Sequence, residues 1–129
     1  MMRLLTFVID GIVYGVEDLG VERVIGFSSA RITAIPGSPP GHLGLLSTER
    51  GMLNVIAKNP KKGQYIVIIG SGDTRLGVVA EDVLGLEKIL RVHQTTTKML
   101  GQELVYADTS ERSTVLLRMP EDFLRMFCK

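Results

Sequence analysis

The sequence lacks the features that mark secreted and membrane-spanning proteins. Its single cysteine, Cys128, has no partner for an intramolecular disulfide, which favours a reducing compartment such as the cytosol. The apolar stretch at residues 1–9 ends at Asp10-Gly11 and is too short for a signal core, and no later run approaches the ~20 residues of a membrane span. We therefore expect a cytoplasmic protein without membrane insertion.

An excess of charge of either sign is also missing. The chain carries 15 basic and 14 acidic residues with no long run of either, whereas nonspecific phosphate binding needs a broad positive field. We therefore expect no nucleic-acid partner. Apolar residues are abundant, at 45% of 129. One domain over 1–129, either one unit or two small lobes sharing a core, can therefore form without metals or disulfides.

Two segments have the pattern of a β-hairpin. Residues 4–16 alternate around Asp10-Gly11, a dipeptide typical of tight hairpin turns. Residues 65–80 repeat the design, with β-forming residues on both sides of the turn at 70–73. We predict a hairpin at each place.

The two hairpins are followed by similar acidic segments. Residues 16–22 are echoed by 80–87 with one extra residue, so that the chain has a weak internal repeat. The alternative is that acidic residues simply follow strands. If the repeat is real, it predicts two similar β lobes in tandem, at about 1–60 and 61–129 and interleaved at the ends, with a seam at residues 59–63.

The remaining segments complete a β-rich pattern. Residues 35–41 must form a loop, because three prolines remove ladder donors. Residues 43–46 and 52–56 predict a further strand pair, and residues 95–98 an exposed segment. Other strand-like segments are 86–92, 104–107 and 114–117.

A short helix is predicted at the end of the sequence. Pro120 suits a first helical turn, and Phe123, Leu124 and Phe127 fall on one face. Many short strands, few helices and frequent turn residues indicate an all-β protein of barrel or sandwich type.

No set of residues in the sequence points to catalysis. The glycine-rich segment at 70–75 lacks the helix that a phosphate-binding loop needs, and His42 and His93 have no metal ligands at suitable spacing. The acidic pairs at 17–18 and 81–82 are adjacent residues, which point in different directions. We therefore expect a protein that is not an enzyme, and we assign no catalytic, cofactor-binding or metal-binding residue.

Several motifs follow one another in an order that resembles a known family. They lie at residues 5–11, 14–16, 21–24, 32–39, 43–46, 66–68 and 76–84. In content and order they resemble the CheW-like family of chemotaxis coupling domains. The resemblance implies two five-stranded barrels around a shared apolar core, and a scaffold that couples the regulatory domain of the histidine kinase CheA to the cytoplasmic tip of chemoreceptors.

The resemblance also implies a recognition surface, because Val21 and the residues around Gly44 fall at positions that bind partners in relatives. In relatives an Asn-Leu-Arg-Gly motif usually follows the strand, whereas this chain has residues 47–50, with Glu49 in place of the arginine. A carboxylate there reverses the sign of any pairing and argues against unaltered receptor coupling. The predicted protein-binding residues are Val21, Arg23, Gly44, Leu45, Glu49 and Arg50.

Three functions are compatible with these patterns. The first is the coupling adaptor that the resemblance implies, and the second is a CheW-like module that serves another kinase or assembly. The third is a small β-barrel enzyme or ligand binder that uses the groove between lobes, with His42 as its most plausible polar group.

Overall fold

The computed structural model describes residues 2–71, 73–99, 102–117 and 120–127 of the chain. In this part the backbone forms eleven strands, one α-helix and two short 3₁₀ helices at residues 18–20 and 60–62. The strands are β1 (Arg3–Ile9), β2 (Ile12–Glu17), β3 (Val21–Gly26), β4 (Ile32–Thr33), β5 (His42–Thr48), β6 (Gly51–Ile56), β7 (Tyr65–Ser71), β8 (Thr74–Ala80), β9 (Asp82–Met99), β10 (Gln102–Thr109) and β11 (Ser113–Leu116), and the helix is α1 (Pro120–Phe127). The predicted all-β class is confirmed.

Both predicted hairpins are present. β1 and β2 pair up to Ile9 and Ile12, and the turn residues Asp10 and Gly11 both have positive φ values, 52° and 79°. This conformation is the one that an Asp-Gly turn between twisted strands requires. β7 and β8 pair antiparallel along their whole length.

The first lobe is a closed five-stranded barrel. Its strand order is β1-β2-β11-β10-β9, and β9 pairs back onto β1. All of these pairs are antiparallel except the one between β11 and β2. Every strand of this lobe therefore has a neighbour on both sides over part of its length, while β9 from Arg91 onward pairs only with β10.

The second lobe is a six-stranded sheet with the order β3-β7-β8-β6-β5-β4. The resemblance implied five strands closed into a barrel, whereas here β3 and β4 stand at the two ends of the sheet. The reason lies in the segment after β4, a strand of only two residues. It runs into the loop at residues 35–41, whose prolines cannot donate to a ladder that would join β4 to β3.

The lobes do not follow the expected division near residue 60. The barrel uses residues 3–17 and 82–116, and the open sheet uses 21–80. This arrangement arises because the two outer edges of the first hairpin pair with β9 and β11, from the last third of the chain. The repeated acidic segments therefore mark the two places where the chain passes from one lobe to the other.

A single apolar cluster joins the lobes, as predicted. The outward faces of β1 and β2 pack against β7 and β8, and Phe123 of α1 covers the cluster, with its ring centre 6.1 Å from that of Phe7. The helix thus begins at Pro120 as expected, and it buries Phe123 while Leu124 is exposed. In the described part of the chain no helix is long and apolar enough to cross a membrane. The cluster is formed by Leu5, Phe7, Ile9, Tyr14, Val16, Ile56, Val67, Ile69, Leu76, Val78, Ala80, Val115, Leu117 and Phe123.

Candidate functional site

A groove of about 580 Å³ opens on the second lobe between β3 and β5. These strands are far apart in the strand order, so the sheet must curl to bring them to opposite walls. A smaller pocket of about 220 Å³ adjoins the groove and shares Glu22, Arg50 and Arg75 with it. The groove is lined by Glu22, Arg23, Ile25, Ser29, Ala30, Arg31, Leu46, Ser47, Thr48, Glu49, Arg50, Ile68 and Arg75.

The floor of the groove is the edge of the lobe's own core. Leu46 and Ile68 are buried members of a cluster inside the curled sheet, and Ile25 and Ala30 pack against it. Because these side chains are held by the core, the floor is an apolar surface of fixed shape.

A β-bulge turns two adjacent charged residues toward the groove. Val21 pairs with Ile69 and Arg23 with Ile68, so Glu22 is the extra residue on β3. Successive side chains of a regular strand point to opposite faces, whereas a bulge re-aims one of them. Glu22 and Arg23 can therefore both line the groove.

Glu22 lies at the centre of a network between two arginines. Arg75 donates to both of its carboxylate oxygens, from Nε at 2.9 Å and from Nη2 at 2.6 Å, and Arg50 donates from Nη1 at 2.5 Å. Arg75 Nη2 also donates to Thr48 Oγ1 at 3.1 Å. The network ties β3, β8 and the β5–β6 turn together at one end of the groove.

The network keeps its groups charged. The hydrogen bond from Arg75 is the main cause that lowers the pKa of Glu22 below its ordinary value, and the charges of Arg75 and Arg50 add to it against a smaller effect of burial. The hydrogen bond to Glu22 in turn raises the pKa of Arg75. Only 13% of the Arg75 side chain is exposed, against 69% for Arg50, so Arg75 is the fixed partner and Arg50 faces solvent.

The structure brings four of the six predicted residues to this region. Arg23, Glu49 and Arg50 line the groove, and Val21 lines the adjoining pocket. Glu49 and Arg50 form the tight turn between β5 and β6, closed by the pair Thr48 and Gly51. That these residues bind a protein stays a prediction.

Gly44 and Leu45 are not part of either lining. Gly44 is buried with φ at +147°, and a Cβ at this position would lie 2.1 Å from the carbonyl oxygen of Thr33. Its glycine is therefore required by the close approach of β4. Leu45 is half-buried and pairs with Thr33 and Asn54 in the middle of the sheet.

Sequence reasoning missed Glu22, Thr48 and Arg75 as members of the site. Glu22 and Arg75 are 53 residues apart, and no local spacing connects them. Only the curl of the sheet places them together. An available signal was the place of Arg75 directly before the apolar strand residues 76–80, where a charge close to the core needs a partner.

The two histidines have structural partners. His42 Nδ1 lies 2.8 Å from Ser38 Oγ and its Nε2 lies 2.9 Å from Asn54 Oδ1, which fastens the proline loop to β6. Ser38 Oγ donates its proton to the carbonyl of Ile35 at 2.7 Å, so it is not directed at His42 as a nucleophile would be. His93 stacks on Tyr106 with ring centres 5.9 Å apart.

The other sequence candidates lie in ordinary surroundings. The glycine-rich segment at 70–75 joins the end of β7 to the start of β8, as expected for a hairpin turn. Asp18 pairs with Arg3 at 3.1 Å, and Glu81 accepts a hydrogen bond from the backbone of Asp10. Within the described ranges no three acidic, histidine or cysteine side chains cluster as metal ligands. Cys128 lies outside the described residues.

Comparisons with known proteins identify the fold. No family model matches the sequence, and no curated protein matches it. Among solved structures, the scaffolding protein TtCheW from Thermoanaerobacter tengcongensis superimposes with a TM-score of 0.66 at 18% sequence identity, over 89% of this chain and 87% of that one. The chain has a CheW-like fold. The resemblance inferred from the order of the motifs is thus confirmed at the level of the fold.

Proposed function

We propose that this protein is a non-enzymatic signalling adaptor of the cytoplasm, a CheW-like domain that couples the regulatory domain of the histidine kinase CheA to chemoreceptor tips. The observation that carries the proposal is a fold shared with a scaffolding protein over nearly the full length of both chains. The same proposal takes residues 1–129 as one domain.

The charged end of the groove supports a binding role. Glu22, Arg50 and Arg75 form a fixed network beside an apolar floor, which is the combination of anchors and polar rim found where proteins meet. Val21, Arg23 and Glu49 surround it and supply the contacts that we assign to partners.

The proposal is tested by titrating the purified protein with the CheA regulatory domain of the same organism in a calorimeter. We expect a dissociation constant of about 10 µM or tighter, and a weakened complex for Arg23→Glu because the change reverses a charge on the surface. Arg125→Glu, on the exposed side of α1, is the matched control and should bind as the parent does. If mixing produces no heat and sedimentation shows no complex, the adaptor proposal is wrong.

A second candidate is a CheW-like module for another kinase or assembly, and Glu49 favours it. This carboxylate lines the groove where relatives carry an arginine. If the protein couples receptors, Glu49→Arg should strengthen its binding to a receptor tip fragment, since it restores the sign of the expected pairing. If the variant and the parent bind the fragment equally weakly while the kinase domain binds neither, the second candidate is favoured.

A further inference from the structure

β3 has a free edge that borders the groove. One side of the strand pairs with β7, and no other strand in the described part of the chain pairs with its second side. Proteins usually protect such an edge with a very short strand or with proline. β4, at the other end of the sheet, is only two residues long and is followed by the proline loop at 35–41. β3 in contrast runs for six residues without proline.

The charge beside this edge is mainly positive. The groove lining contains four arginines and two glutamates. Glu22 is already bound by Arg75 and Arg50. Neither Arg23 nor Arg31 forms an ion pair with any residue that the structure describes. These two guanidinium groups are therefore available to carboxylates from outside.

The floor requires apolar side chains from the same ligand. Ile25, Leu46 and Ile68 form a hydrophobic strip in the lining of the groove that also contains the two arginines. A segment that pairs with β3 in the extended conformation directs alternate side chains down to this strip and the others away from it. Apolar residues alternating with acidic ones would satisfy both requirements at once.

We propose that the free edge of β3 docks an extended, acidic segment of a partner protein, which adds a strand to the open sheet. The main chain of the segment pairs with β3, its apolar side chains cover the strip, and its carboxylates meet Arg23 and Arg31. The inference rests on the proposed function and specifies how a protein partner is held. A second copy of this chain fits less well, because the one carboxylate that its β3 would bring, Glu22, is already bound by Arg75 and Arg50.

The test uses a labelled peptide of alternating glutamate and valine, followed by fluorescence anisotropy. We expect saturable binding below about 1 mM that weakens as salt is added, since the contacts are between exposed charges. Two matched peptides define the mode of binding. A peptide of alternating lysine and valine should not bind. Two further glutamate peptides are methylated at every second backbone nitrogen, one at the glutamates and one at the valines. One of these two should lose binding, because methylation removes the N–H groups that would pair with β3.

Variants of the protein locate the site. The double variant Arg23→Glu/Arg31→Glu should weaken binding of the glutamate peptide at least about tenfold, whereas Arg125→Glu should leave it unchanged. The inference is overturned if the glutamate peptide does not bind, if the lysine peptide or both methylated peptides bind equally well, or if the double variant binds as the parent does. A stable dimer of the parent that the double variant abolishes would also overturn it, since the edge would then serve self-association.

Comparing peptide binding with binding of the CheA regulatory domain separates this inference from the proposed function. If the CheA regulatory domain binds but the peptide results fail, the adaptor role stands and the docking mode is wrong. If the peptide behaves as expected but no kinase domain binds, the edge binds acidic segments and the adaptor role is wrong.

Discussion

The two lobes share a core, but one is a closed barrel and the other is an open sheet with two edge strands. In the barrel, β9 closes onto β1 and every strand has two neighbours. In the other lobe, β3 and β4 have one neighbour each within the described residues, and a groove of about 580 Å³ lies where closure would occur. Closure gives each barrel strand a paired neighbour on both sides, whereas β3 and β4 each leave one side without a paired strand among the described residues.

The two lobes also differ in where they place their charged side chains. The barrel encloses Glu87, which is 6% exposed and accepts hydrogen bonds from Thr6 and Thr109 at 2.7 Å each. Arg112 Nε lies 3.1 Å from the same carboxylate. The open lobe instead carries a partly exposed ion pair, Glu22 with Arg75, at the rim of the groove. The comparison indicates that the barrel uses charge to fix its own strands and the open sheet uses charge at a surface.

The largest expected effect concerns the glycine that lets β4 approach β5. Gly44→Ala should lower the free energy of unfolding by about 4 kcal/mol or prevent folding, because the new Cβ meets the Thr33 backbone at a φ value that side chains rarely adopt. Gly85→Ala in the barrel is the matched control, with φ at +132° but nothing within 4 Å of the new Cβ. It should cost only about 2 kcal/mol. Equal losses in denaturant unfolding would show that contact with β4 is unimportant.

An intermediate effect is expected at the buried carboxylate of the barrel. Burial raises the pKa of Glu87, but hydrogen bonds from Thr6 and Thr109 and the charge of Arg112 outweigh it, so the net pKa lies below its usual value. Glu87 therefore stabilises the fold above its unfolded pKa, near 4.3, and this contribution is lost as the pH falls through the lower folded value. Glu87→Gln should cost about 2 kcal/mol at neutral pH and progressively less in acid.

Glu111→Gln is the control for this prediction, since Glu111 is exposed on the turn next to Arg112. Its effect should stay within about 0.5 kcal/mol at every pH. A Glu87→Gln variant whose deficit does not change between neutral pH and acid would contradict the role given to the charge.

The smallest effect is expected at the rim of the groove. Arg75→Lys should cost about 1 kcal/mol, because a lysine cannot hold both oxygens of Glu22 as a guanidinium does. Arg50→Lys, which is mostly exposed, should change the stability by less than about 0.5 kcal/mol. If the two variants lose the same stability in parallel melts, the network has no fixed partner and the distinction between Arg75 and Arg50 fails.

Local features of the fold were predictable, and long-range features were not. Asp10-Gly11 specifies its turn through backbone conformation alone, and Pro120 fits the first turn of a helix. The pairing of β2 with β11 joins residues about 100 positions apart in the chain. Local sequence patterns do not predict such long-range pairing. The segment at 86–92 is likewise part of one long strand, β9, which also includes residues 95–98. That the side chains of residues 95–98 are exposed stays a prediction.

The candidate site shows the same limit. Val21, Arg23, Glu49 and Arg50 were nominated from the resemblance, and they do lie around one groove and its adjoining pocket. Glu22 and Arg75 were not, since the bulge that re-aims Glu22 leaves no mark in the sequence. Gly44 was nominated as a binding residue, yet its burial points to a steric role within the sheet.

The most direct measurement of the central claim, that the open lobe is the docking lobe, is amide hydrogen exchange with and without the CheA regulatory domain. The account predicts slower exchange in β3 and in residues 47–50 on binding, with β10 and β11 of the barrel unchanged. Protection confined to the barrel strands, with β3 exchanging as fast in the complex as alone, would contradict it.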